Sequence, residues 1–205
     1  MSMVNSTVYN FTVEPFLSAW KKRIACWQAQ QGDALVLDLC CGIGKQAEYL
    51  QLRGNDTVGI DLDHYALKYA QKRRSGGCWI KADATALPLK SKSFTQMNIS
   101  LALHEKSQSQ ADQIMHELCR ISAPGGTATI LDFSPPIDCR SRWGWRFARI
   151  FEALAGPAHY KLSRDFMKRG GLDAFLKSYA FRVLRSKHLK GGSAFLVEIS
   201  FDSGL

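Results

Sequence analysis

No stretch of this chain approaches the roughly 20 consecutive apolar residues needed to cross a bilayer. The opening MSMVNSTVYN has neither the basic start nor the apolar core of a secretory signal. A cytoplasmic protein is the expectation. The six cysteines, at 26, 40, 41, 78, 119 and 139, show no CxxC and no Cys/His spacing of the zinc-holding kind. No metal and no disulfide framework are therefore expected, and the cysteines read as buried reduced thiols. Internal repeats and low-complexity runs are also lacking. What remains is 205 residues, 46% hydrophobic and 22% charged, enough for one well-buried domain spanning 1–205.

Charge is unevenly placed. Residues 1–139 are near balance, with 14 Lys+Arg against 13 Asp+Glu, whereas 140–190 carry 13 against 3. That basic segment suits an anionic substrate, nucleic acid or anionic lipid, or simply a solvated face.

Along the chain, Phe16, Leu17, Trp20, Ile24 and Trp27 recur at helical spacing, so 1–31 forms an N-terminal helical segment. Short apolar runs then alternate with helical stretches. Strands are expected at 34–39, 56–61, 78–83, 94–103 and 127–133, with helices at about 45–53, 64–74 and 108–121, the last ended by PGG at 124–126. An apolar stripe through 143, 147, 150, 151 and 154 predicts a further helix, and helical pieces continue from 163 to 178. YAFRVLRSKHL and SAFLVEISF, joined by Lys190, Gly191 and Gly192, read as an antiparallel hairpin. The fold class is α/β: a Rossmann-like doubly wound sheet of about seven strands, mostly parallel, closed by that hairpin.

In such a sheet, ligands bind beyond the carboxyl ends of the strands. VLDLCCGIGKQ (36–46) places Asp38 there, followed by a glycine turn, and Asp61 and Asp83 close the next two strands. Asp61 lies 19 residues after Gly42, placed to accept from a ribose diol. GIGKQA also satisfies the dinucleotide pattern G-x-G-x-x-G/A. A pyrophosphate beside Asp38 would meet a like charge, however, and the chain has little room for a separate substrate domain. Asp38 suits a ligand with a cationic end.

The chain resembles class I S-adenosylmethionine-dependent methyltransferases. VLDLCCGIG resembles the family's D-x-G-x-G-x-G motif, GIDLD (59–63) its second motif, KADATALPLKSKSF (81–94) its third, and ELCRISAPGGTATILDF (117–133) its E-x-x-R-x-L-x-P-G-G segment. Together these cover about half the chain, and Cys-Cys-Gly at 40–42 points to the branch resembling ubiquinone and menaquinone C-methyltransferases. The resemblance implies S-adenosylmethionine as cofactor. Gly42 and Gly44 would let the backbone pass beneath it, with Cys40 and Ile43 completing the turn and Asp38 orienting the amino-acid end. Asp61 would hold the ribose hydroxyls, Leu62 would lie on the adenine, and Asp83 and the Ala84 amide would meet its edge. Ser100, with Leu101, would line the transferable methyl. Cys40 departs from the family's first glycine, and neither Cys40 nor Cys41 has an activating base close in sequence.

The acceptor side is thinner. His104 lies where the family presents substrate-facing residues and is the candidate base or substrate ligand, with Glu105 next. His159 and Tyr160 fall in the segment that should cover the site. The insertion 134–179 would build the acceptor pocket, with Arg146 in RWGWRFARIFEALAG able to meet an anion or to rest, with its helix, on anionic membrane. The expected acceptor is a small aromatic or lipid-like molecule, anionic or neutral. RNA or other nucleic acid is the alternative, although NISL stands where an amino-methylating N/D-P-P-Y/F motif would be. A non-catalytic S-adenosylmethionine-binding protein is a third reading.

Overall fold

A computed structural model describes residues 14–29, 34–74, 76–137, 156–189 and 193–201. The elements follow in order: α1 (Glu14–Ala29), β1 (Leu35–Leu39), α2 (Lys45–Gln51), β2 (Asp56–Asp61), α3 (His64–Arg73), β3 (Gly77–Lys81) and β4 (Phe94–Ser100). A short 3-10 turn (Leu103–Glu105) then leads to α4 (Gln108–Ile121), β5 (Ser122–Phe133), α5 (Pro157–Lys168), α6 (Gly171–Leu176), β6 (Arg182–Leu189) and β7 (Ala194–Ser200).

The seven strands form one sheet in the order β3-β2-β1-β4-β5-β7-β6. β1 pairs in parallel with β2 on one side and β4 on the other, so the strand order reverses between β1 and β4. β7 runs antiparallel to both β5 and β6, giving the expected closing hairpin. A strand paired on both edges and covered on both faces can be apolar throughout. β1 follows this: Val36, Leu37 and Leu39 are wholly buried, and Asp38 is the one charge among them.

Helix ends are set by local chemistry. Asp63 Oδ1 accepts from the amides of Tyr65 and Ala66 at 2.9 and 3.2 Å, capping α3 directly after β2. Ser107 and Gln110 form a reciprocal capping box at the start of α4. Leu17, Trp20 and Ile24 of α1 are buried in the core, and Gln28 Nε2 donates to the Met97 carbonyl at 3.0 Å, tying α1 to β4.

Two expected boundaries shift for identifiable reasons. PGG does not end α4. The helix stops at Ile121, and the glycine pair forms an irregularity inside β5, whose register with β4 jumps between Phe94–Ser122 and Gln96–Thr127. Gly125 takes φ 74°, and a Cβ on Gly126 would lie 2.4 Å from Ser122 Oγ, so glycines are required at the bulge. β4 ends at Ser100, not 103, because Leu101 adopts φ 55° and the chain turns into the 3-10 segment. The helical pieces expected from 163 to 178 are two helices, the first beginning earlier, at Pro157, and they are separated where Gly170 and Gly171 take φ 99° and 64°. The predicted stripe at 143–154, and Arg146 with it, lies outside the described residues.

The charge-rich segment is partly committed. Arg185 pairs with Glu198, donates to the Trp27 carbonyl and lies 4.5 Å over the Trp27 ring. Lys177 pairs with Asp173 at 2.8 Å.

Candidate active site

The carboxyl ends of β1, β2 and β4, around the reversal of strand order, bring the first set of residues together. Asp61 ends β2 and grips the glycine turn: its Oδ2 accepts the Gly42 amide at 2.7 Å and its Oδ1 the Asp63 amide at 2.8 Å. A carboxylate oxygen carries two lone pairs, so each can still accept a hydroxyl. Leu62, the next residue, is 61% exposed and offers an apolar surface to a ring.

Asp38 lies beneath the turn and is almost wholly buried. Its Oδ1 accepts from Asn98 Nδ2 at 2.7 Å, while Asp38 Oδ2 and Asn98 Oδ1 are buried without a hydrogen bond among the described residues. Burial pushes the Asp38 carboxyl up to about 7, against the pull of Asn98, the charge of Lys21 and the nearby Ala47 amide. A cation in the crevice would favour its ionised form. Cation binding and protonation of Asp38 therefore oppose each other, and affinity for a cationic ligand should fall three- to tenfold between about pH 8 and 6. Calorimetry across that range checks this, and Asp38→Asn should flatten the curve. The unliganded chain responds in the opposite sense. The folded state holds the Asp38 proton up to about pH 7 and the unfolded state only to about 3.8. This group's contribution to stability is thus greatest at low pH and is lost as pH rises toward 7.

The two glycines of the turn serve different ends. A Cβ on Gly42, at φ 52°, would meet nothing within 4 Å, so the space above it is open to a ligand. A Cβ on Gly44, at φ 73°, would lie 2.4 Å from Trp79 Cη2. Trp79 of β3 also covers Gly59 and Gly77, where an added Cβ would approach it to 2.5 and 2.6 Å. Gly44 is thus needed for packing of the indole as well as for the turn. Gly44→Ala should cost about 2–4 kcal/mol by combining strain with overpacking. Gly42→Ala should cost only the backbone strain, about 1–2 kcal/mol. Urea unfolding of both variants tests the difference; equal stabilities would refute it.

Cys40 occupies φ 56°, a conformation that favours glycine, and packs half-buried against the core. Burial pushes its thiol up to about 12 and that of Cys41 well above its usual range, which keeps both as unreactive thiols near neutral pH. The Ile43 side chain is buried. Asp83, exposed two residues past β3, is drawn into its own loop: Oδ1 accepts from the Thr85 amide and hydroxyl at 2.9 and 2.8 Å, which holds its carboxyl below the usual range. Ala84 and Ser100 are half-buried. Leu101, directly after β4, and Cys40, directly after β1, are both left-handed, so two strained residues flank the reversal point.

The second set lies at the ends of β4 and β5. Asp132, fully buried near the end of β5, accepts the Leu103 and His104 amides on Oδ2 at 2.8 and 3.2 Å, and the Phe133 amide on Oδ1 at 2.7 Å. The same Oδ1 lies 2.7 Å from His104 Nδ1. A group that receives so many N–H donors acts as a carboxylate, so Nδ1 carries the ring proton and Nε2 the lone pair. The His104 ring is buried, edge-on to Phe133 at 4.7 Å and perpendicular to His159 at 5.6 Å. Pro157 opens α5, which carries His159 and Tyr160 over the 3-10 turn. Tyr160 is half-buried there. Glu105 Oε1 is 3.9 Å from His104 Nε2.

Of the expected site residues, the structure brings Asp38, Asp61 and the glycine turn together, and separately His104, Glu105 and His159, with Tyr160 next to His159 on α5. Asp132, Asn98 and Lys21 were not singled out from sequence. Asp132 and Asn98 have a visible signal, a polar residue inside an otherwise apolar strand (TILDF, MNIS). Lys21 has none.

Residues 36–126 match a family model described as a methyltransferase domain. The chain is 32% identical over 79% of its length to an uncharacterized methyltransferase of Synechocystis sp., covering 73% of that relative. It is 32% identical to a 2-phytyl-1,4-naphtoquinone methyltransferase of Thermosynechococcus vestitus over 57% of its length, but spans only 54% of that protein. In fold it is similar to the crystal structure of a SAM-dependent methyltransferase from Aquifex aeolicus, with TM-score 0.67, 17% identity, and coverage of 96% of this chain and 97% of the other. The crevice fits that cofactor: a buried Asp38 oxygen with no hydrogen bond among the described residues, open space over Gly42, and an exposed Leu62 beside the Asp61 carboxylate. The chain belongs to the class I S-adenosylmethionine-dependent methyltransferases.

Proposed function

We propose that this enzyme methylates a small aromatic acceptor bearing an ionisable hydroxyl, of the reduced-quinone class, with His104 as general base. The observation that carries the reading is the buried Asp132–His104 pair, 2.7 Å between Oδ1 and Nδ1. Its support is the naphthoquinone named for one relative. Bound S-adenosylmethionine supplies an activated methyl and a neutral thioether leaving group. The chain does the rest. Asp61 and Leu62 hold the nucleoside end, Gly42 admits it, Asp38 sets a negative field under the cationic end, and Asp83 with the Ala84 amide borders the adenine. Ser100 and Leu101 line the reacting centre.

His104 Nε2 takes the hydroxyl proton, which makes the ring carbon beside that hydroxyl nucleophilic. Asp132 fixes the imidazole's orientation and stabilises the charge it gains. Once that carbon carries the methyl, its own hydrogen leaves as a proton and the ring regains aromaticity. Tyr160 borders the acceptor in this reading; Arg146 lies outside the described residues. The single domain 1–205 and a cytoplasmic setting belong to the same proposal. Among the described residues, no helix is long and apolar enough to cross a membrane.

The test is transfer of labelled methyl from S-adenosylmethionine to a reduced 1,4-naphthoquinone by the purified chain. A ring-methylated product supports the reading. Labelling of added RNA in its place overturns it.

A further inference from the structure

The histidine pair carries a second possibility that local spacing hides, because its members are 55 residues apart in sequence. We propose that His104, His159 and Glu105 form a binding site for a divalent ion of the zinc or cobalt class. Glu105 Oε1 is 3.9 Å from His104 Nε2 and 3.9 Å from His159 Nδ1, and one ligand atom from each residue lies within 4.8 Å of the others. Donors about 2.1 Å from a tetrahedral zinc ion are about 3.4 Å apart, so Glu105 needs to close on each imidazole by about half an ångström, and the two imidazole nitrogens, within 4.8 Å of each other, by up to about 1.4 Å. Glu105, with a side chain 40% exposed, has the freedom to supply its own part of that movement, and His159, 20% exposed on α5, the approach of the second imidazole to the buried His104.

The second shell is already built. Asp132 accepts the Nδ1 proton of His104, which turns Nε2 outward as the ligating nitrogen, the carboxylate–histidine arrangement that orients metal ligands. Two imidazoles and one carboxylate suit zinc or cobalt, whereas magnesium prefers an all-oxygen shell. Three protein ligands leave a fourth position for water. Ion and proton compete for His104 Nε2, so the ion-bound chain cannot use His104 as a base. The site stands independently of the cofactor and of the acceptor.

Titration of the full chain with cobalt(II), followed by visible absorption, and calorimetry with zinc, both without S-adenosylmethionine, test it. The expected result is one ion per chain with the visible bands of a four- or five-coordinate site. His159→Ala and Glu105→Gln should each weaken binding at least about tenfold, and Asp132→Asn by about 10- to 100-fold. Cys78→Ser, removing the exposed thiol, should leave it unchanged. No stoichiometric binding, equal affinity in His159→Ala and Glu105→Gln, or thiolate-to-cobalt charge-transfer bands would overturn the proposal. None of these readouts involves methyl transfer, so a failure here is separate from a failure of the acceptor reading.

Discussion

His104→Ala should lower kcat for methyl transfer to a naphthoquinol by about 10²–10⁴-fold, the usual contribution of a positioned general base. Affinity for S-adenosylmethionine should barely change, because His104 sits with Asp132 at the ends of β4 and β5, while the nucleoside residues lie at β1 and β2. The variant removes a buried ring from an edge contact with Phe133 and leaves Asp132 Oδ1 with fewer donors, so some loss of stability accompanies it. Three features separate a catalytic from a structural defect. Free imidazole should restore part of the rate. His104→Gln, which keeps a donor to Asp132, should recover stability but not activity. Asp132→Asn, which keeps the His104 ring but weakens the group that orients it, should lower kcat without changing affinity for S-adenosylmethionine. A His104→Ala enzyme that retains full kcat would remove the base from the mechanism.

The second large effect is expected at Asp61. On the proposed ribose role, Asp61→Ala removes the acceptor for two hydroxyls; it also frees the Gly42 and Asp63 amides. Hydrogen bonds to a charged group contribute about 1.5–3 kcal/mol each, so loss of two predicts about 10²–10⁴-fold weaker binding of S-adenosylmethionine. Part of that loss comes from the turn itself, since Asp61 holds Gly42 in place. Asp61→Asn distinguishes the contributions: one oxygen remains to support an amide, while the amide nitrogen faces a donor. Its affinity should fall between wild type and Asp61→Ala. Calorimetry reads the affinities and thermal unfolding shows whether the turn has collapsed. Unchanged affinity in Asp61→Ala would exclude the ribose role.

Much of this architecture was legible because strands and helices write different periods. The buried run of β1, the spacing from Gly42 to Asp61 and the closing hairpin follow from local rules and match the structure. The boundaries that moved did so for tertiary reasons. Leu101 turns out of β4 because Asp132, far along the chain, captures the Leu103 and His104 amides. PGG resembles a helix terminator, yet serves as a bulge because β5 must stay paired with β4. The strand-end positions of Asp38 and Asp61 and the turn at Gly42 could be read from motifs, since each closes or follows a short apolar run. His104 could be picked out, but not its partners: Asp132–His104 and His104–His159 are contacts between separate elements, and nothing in the spacing of 104, 132 and 159 announces them. Gly44 shows a subtler limit. The motif marks it as a ligand-facing glycine, whereas its missing Cβ makes room for Trp79, a residue on another strand.

The most direct test of the central claim is methyl labelling of a cell extract by the wild-type chain and by His104→Ala, with the label partitioned between small molecules and nucleic acid. Label in the organic-soluble, small-molecule fraction, lost with His104→Ala, is the predicted result. Label in the nucleic-acid fraction, or equal labelling of small molecules by both proteins, would contradict it.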